Sequence, residues 1–478
     1  MLFNSYTFII FFVVFFFLYW FVFNKNLKIQ NLLILAGSYF FYAWADWRLL
    51  SYLLGASAVN YFLGIAIENT ENSRKRRLLL WLGMIQGVGG LFYFKYFNFF
   101  IISFKQAFAS INVDLNIHTL NIIVPIGISY FTFKTLSYLL DVDKGKMKAS
   151  HDWVIFFGYV AFFPSLLSGP IDKAKMFIPQ LEKKRTFDYN QAVDGMRQIL
   201  WGLFKKLVVA DNCAPVTSQI FETYQQQPAS ALVYGGVLYT FQLYADFSGY
   251  TDMAIGFARL IGFNITKNFD FPLFAQNIAE FWRKWHISLT AWLTEYVFTP
   301  LNIAFRDLGK FGIILAIFIN FAIIGIWHGA NWTYLVFGIL HGLYFIPLIL
   351  WGNMNKKKKI AKGKLLPTFR EAMNILLTFI LVTITFIFFR ADSVVQAFQH
   401  LNGMFSMSIF HSFNFKPIAT FFVFVLVLVE WIGRDQNYAI ENTFSNWPKI
   451  MRWAAYFCLI MVIFLFASKG DQFIYLQF

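Results

Sequence analysis

Cysteine and charge are the two things this 478-residue chain has little of. Its two cysteines, Cys213 and Cys458, lie far apart and belong to no CxxC or Cys/His cluster. That excludes a disulfide framework and a structural zinc site, and no metal is expected. Charged residues make up 14% of the chain, against about 25% in a soluble protein. In their place stand 58% hydrophobic and 21% aromatic residues, with a mean hydropathy of +0.55. A water-soluble fold cannot hide that much apolar surface, so the chain reads as all-α and polytopic in a membrane. The Phe and Trp suit a lipid-facing surface with aromatic interfacial belts. GxSxG, P-loop and HExxH signatures are also missing, which removes support from hydrolase, ATPase and zinc-protease readings.

The net charge of +15 invites a nucleic-acid reading. The cations, however, fall in short loops between apolar runs: Arg74–Arg77, Lys144–Lys148, Lys183–Arg185 and Lys356–Lys364. That is the positive-inside pattern, with anionic lipid as counter-charge. No basic soluble domain exists to hold nucleic acid, so that partner is rejected. Apolar runs fall near 5–23, 30–45, 49–67, 79–103, 121–140, 153–169, 190–210, 230–262 (broken), 311–328, 331–351, 371–390, 417–432 and 451–468. They predict about a dozen membrane segments, some re-entrant, in a single integral domain over 1–478. The run Phe8 to Phe23 has neither a basic n-region nor a cleavage site and reads as a retained span. With the Arg74 and Lys356 clusters inside, the amino terminus faces outward.

Some residues are costly in lipid. His328 ends an apolar run, and an ionisable group there faces a cavity or a partner. A low-dielectric site disfavours the imidazolium and leaves the neutral, basic form. The alternative is a histidine that only bonds between helices. On one helix Gly325, Asn331 and Trp332 share its face, and Gly325 and Gly329 would let a substrate approach closely. His341 falls on a different face and reads as packing.

The stretch Tyr244–Pro300 interleaves carboxylates, Arg, Lys and His with Trp, and reads as lining a cavity. In "FWRKWHISLT", Arg283 or Lys284 would bind a phosphorylated donor and His286 would assist catalysis or position a substrate. Otherwise the segment is an amphipathic interfacial helix. In "YADFSGYTD", Ser248–Gly249 suggests a break. There Asp246 and Asp252 would bind a cation, orient a histidine or hold sugar hydroxyls; otherwise they pair with cations such as Arg259 or Arg283.

The motifs "PIGISYFTFKTLSYLLDV" (Pro125–Val142), "LLSGPI" (Leu166–Ile171), "YADFSGYTDMAIG" (Tyr244–Gly256), "FPLFAQNIAEFWRKWHISLTAWL" (Phe271–Leu293) and "GIWHGANW" (Gly325–Trp332) occur in that order. In this order they resemble the membrane-bound O-acyltransferase (MBOAT) family, in its bacterial alginate O-acetylation branch. The resemblance implies a ring of tilted helices around a central funnel, with catalytic His328 and His286. The substrate-binding set expected with them is Asp246, Ser248, Tyr250, Trp282, Arg283, Trp285, Trp327, Asn331 and Trp332. It further implies a multi-pass enzyme of the bacterial cytoplasmic membrane that moves an acetyl group to an extracytoplasmic polysaccharide. The donor would be acetyl-CoA or another acyl thioester, with no permanently bound cofactor, and an SGNH-hydrolase-like partner would complete the transfer. Transfer of D-alanyl or another acyl group, and a flippase without chemistry, are the alternatives.

Overall fold

The structure is a computed structural model that describes residues 1–354 and 359–468. Among the described residues every regular element is a helix and there is no strand. Six helices among the described residues are long and apolar enough to cross a membrane: Trp47–Glu68, Ser73–Ala109, Arg306–His328, Trp332–Leu350, Phe369–Arg390 and Lys449–Phe466. Two shorter apolar helices are Tyr6–Val22 and Pro417–Ile432.

Several of the other expected segments are interrupted. The run 153–169 divides at Phe162 into Trp153–Ala161 and Phe163–Leu166. The run 190–210 is the helix Tyr189–Leu203 continued by a π-helical turn, Phe204–Ala210. The reverse holds at Ser248–Gly249, where a break was expected and a single helix runs from Ala229 to Leu260. Gly249 does not interrupt it, because it serves a close crossing: a Cβ there would lie 2.8 Å from the Gly202 carbonyl oxygen. Local chemistry starts many of these helices. Asn26, Asp46, Asn72, Asp152 and Asn331 each cap a helix with a side-chain oxygen, and Thr368 and Glu371 form a capping box.

The chain forms two compact units. The first comprises Met1–Gly195 with Phe257–Thr266. Here the Phe-rich first helix is not merely lipid-facing. Phe8, Phe12 and Phe15 are buried, and Phe8 and Phe12 meet Phe257 with ring centroids 4.8 and 4.7 Å apart. Two of the sequence motifs lock together in this unit, since a Cβ on Gly127 would meet the Leu166 carbonyl oxygen at 2.5 Å. Lys134, buried between them, donates to Ser165 Oγ at 2.7 Å. Arg185 corrects the loop-cation reading: it is buried, donates to Asn31 Oδ1 at 2.6 Å and stacks on Phe263. The Lys356–Lys358 part of the last basic cluster lies outside the described residues.

The second unit comprises Met196–Gly256 with Lys267–Phe478. In it the helices Gly309–His328 and Trp332–Leu350 form a hairpin joined by Gly329, Ala330 and Asn331. They touch backbone to backbone. A Cβ on Gly325 would collide with the Tyr334 carbonyl oxygen, and one on Gly329 with the Tyr334 ring. The glycine space expected to admit a substrate is therefore filled by the second helix of the hairpin.

Candidate active site

His328 is the last residue of its helix and is 3% exposed. Aromatic rings surround it: Trp327, Phe337 and Phe389 have centroids 5.1, 5.6 and 5.0 Å from the imidazole. His286 arrives from another direction. It is fully buried, at the junction of the short helices Ile278–Lys284 and Ile287–Leu293, in a left-handed backbone conformation (φ 43°, ψ 55°). Its ring lies 4.8 Å from Phe247 and 5.6 Å from Trp327. Trp327 thus touches both histidines, and the two imidazoles that the sequence singled out share one aromatic chamber.

The remaining expected site residues divide by what they touch. Arg283 and Lys284 line a polar cavity of about 930 Å³ together with Lys267, Asp270, Glu280 and Arg434. Two of its lysines are paired: Lys284 with Glu280 at 2.9 Å and Lys267 with Asp270 at 2.6 Å. Arg283 donates to the Met354 carbonyl at 3.0 Å. His286 follows Lys284 by two positions, so the cavity wall and the histidine chamber belong to one continuous piece of chain.

Trp282 donates its indole N–H to His341 Nδ1 at 3.1 Å. The other nitrogen of His341 lies 3.2 Å from Thr385 Oγ1, which itself donates to the Val382 carbonyl. With Nδ1 accepting, the network assigns His341 the Nε2–H tautomer, satisfied at both ends. This is the packing role its spacing suggested, and it ties Trp282 to packing as well. Trp285 stacks on Phe281 at 5.3 Å and meets Phe269 and Phe386. Asn331 caps its helix by accepting from the Thr333 N–H at 3.1 Å and donates to the Asp392 carbonyl at 2.9 Å. Trp332 is about half exposed at the start of that helix.

Asp246, Ser248 and Tyr250 are all buried on the helix Ala229–Leu260. Asp246 is paired: Lys206 Nζ sits 2.7 Å from its Oδ1 and 2.8 Å from Asp211 Oδ1. Asp252 is held by Lys205 at 2.6 Å and by Gln198 at 2.8 Å. The carboxylates are thus salt-bridged, by lysines rather than by the arginines expected. Close by, Tyr244 bonds both oxygens of Glu430 at 2.9 Å, and Lys205 lies over its ring at 5.7 Å. Sequence reasoning passed over Lys205 and Lys206. Their signal was two adjacent lysines inside an apolar run, where a charge persists only with a partner.

Lys206→Met should leave Asp211 and Asp246 buried without their cation, at a cost of about 3–5 kcal/mol. Thermal unfolding in detergent micelles checks this, and a melting temperature equal to wild type would contradict the pairing.

An all-helical membrane chain with a buried histidine at a WHG corner and a second histidine beside it defines a class. Residues 8–391 match the membrane-bound O-acyltransferase family, and the chain belongs to it. It is an O-acyltransferase with several membrane-spanning helices. It is 34% identical to the probable alginate O-acetylase of Pseudomonas aeruginosa over 411 residues, 85% of this chain and 75% of that one. The peptidoglycan O-acetyltransferase of Helicobacter pylori is 29% identical over 539 aligned positions, covering 100% of this chain and 98% of that one. The teichoic acid D-alanyltransferase of Streptococcus thermophilus is 30% identical over 292 residues, 55% of this chain and 68% of that one.

Proposed function

We propose that this protein acetylates an extracytoplasmic polysaccharide from the bacterial cytoplasmic membrane, drawing on acetyl-CoA or a similar acyl thioester at the cytoplasmic face. One observation carries the reading. The segment Glu280–His286 begins on the walls of a polar cavity and ends in the chamber that holds His328. The cavity offers the guanidinium groups of Arg283 and Arg434 to the phosphates of the donor. The chamber offers two imidazoles to the reacting atoms.

In this reading His328 accepts the proton of an acceptor hydroxyl while that oxygen attacks the thioester carbonyl. His286 donates to the developing oxyanion. Asn331, the other candidate for that role, already spends an amide N–H on Asp392. Collapse of the tetrahedral intermediate breaks the carbon–sulfur bond, and the imidazolium returns its proton to the departing thiolate. The product is an ester and a free thiol. A soluble SGNH-hydrolase-like protein on the outer side would carry the acetyl group onward to the polymer.

The test uses inverted membrane vesicles that contain the protein. With radiolabelled acetyl-CoA outside, label is expected to leave the thioester and appear as an alkali-labile ester. Labelled D-alanyl thioester supplied in its place should transfer poorly. Transfer from the D-alanyl donor alone would move the protein to the other acyl class, and uptake of label without ester formation would overturn the proposal.

A further inference from the structure

A residue at the start of a helix ordinarily caps it with its own side chain. His286 occupies that position before Ile287–Leu293, yet its side chain makes no cap bond. Its imidazole is turned instead toward Phe247 and Trp327. The helix still needs acceptors for its first N–H groups. They come from Asn268, on the irregular stretch that precedes the short helices. The Asn268 carbonyl accepts from the Ile287 N–H at 2.9 Å, and its Oδ1 accepts from the Ser288 N–H at 3.1 Å. Two residues later the Asp270 N–H donates to the Lys284 carbonyl at 3.0 Å. These bonds bracket His286 on both sides.

The bracket has work to do, because φ of 43° is a strained setting for a residue with a Cβ and persists only where its surroundings impose it. Asn268 is fully buried. An apolar side chain of similar volume would be the cheaper occupant of such a site unless the amide oxygen were needed.

We propose that Asn268 is a positioning residue for the transfer reaction: it caps the helix in place of His286 and so fixes the backbone from which the His286 imidazole lies against Phe247 and Trp327. The proposal rests on the catalytic reading of His286 given above. Asn268 itself touches no reacting atom.

A mutant cycle in the acetyl-CoA vesicle assay tests it. Asn268→Leu, which removes the acceptor, is expected to lower kcat about 10- to 100-fold by misplacing the imidazole, with KM for acetyl-CoA changed less than about threefold. Asn268→Asp keeps the acceptor, and Asp caps as well as Asn, so it should stay within about fivefold of wild type. Added to His286→Ala, Asn268→Leu should cost less than about threefold more, because it acts through a side chain already gone. A full additive loss in the double mutant would overturn the proposal, as would an Asn268→Leu protein with wild-type kcat beside an inactive His286→Ala. Wild-type activity in His286→Ala would overturn instead the reading of the chamber. If Asn268→Leu fails to accumulate in the membrane, Asn268→Ala decides by the same cycle.

Discussion

A His328→Gln protein should insert, fold and transfer almost nothing, its rate falling by at least about 10²–10⁴, the range that a positioned acid–base group supplies. The side chain is 3% exposed and packed among Trp327, Phe337 and Phe389, so a glutamine of similar length keeps most of that packing. What it lacks is a nitrogen able to take and return a proton. The measurement is ester formation from acetyl-CoA per mole of protein, with gel filtration in detergent to show that the variant is folded. A rate within tenfold of wild type would remove His328 from the chemistry and leave it a packing residue.

Gly325→Val should act on the fold alone, and as severely. Its first added atom collides with the Tyr334 carbonyl oxygen, and Leu335 Cα stands only 3.2 Å from the same point. Neither is the end of a flexible side chain, so the two helices must part, at a cost of about 3 kcal/mol or more. The protein is expected to be recovered in low yield from detergent extracts and to aggregate at lower temperature. Ile326→Val, one position along on an exposed face, should behave as wild type. An undiminished yield of Gly325→Val would mean that the hairpin is not closed as described.

The contrast between these two neighbours shows how much the sequence made legible. His328 stood out because an imidazole among Ile, Trp and Gly demands an explanation, and its position at a helix end survives in the structure. The purpose of Gly325 was not legible. A glycine that admits a substrate and one that admits another helix leave the same letter, and only the packing separates them. The carboxylates behaved likewise. Asp246 and Asp252 announced buried charge, but their partners Lys205 and Lys206 lie far away in the chain, and pairing over that distance leaves no periodic trace. Helical class and most long apolar helices followed directly from hydropathy, which needs no tertiary information. Asn268 was silent for a third reason: its role depends on the backbone of residues 287 and 288, and backbone bonding is indifferent to side-chain pattern.

The π-helical turn at Phe204–Ala210 has a consequence for how this chain tolerates change in length. Such a turn accommodates about one more residue than an α-helical turn does. Deleting one residue there would restore ordinary winding and draw the side chains of the turn out of their present directions. Lys205 and Lys206 lie inside the turn, the first on Asp252 and the second on Asp211 and Asp246. A point substitution at Val208 or Val209 changes one contact, whereas a one-codon deletion misaligns the three ion pairs together. The segment should therefore accept drift in letters and refuse drift in count.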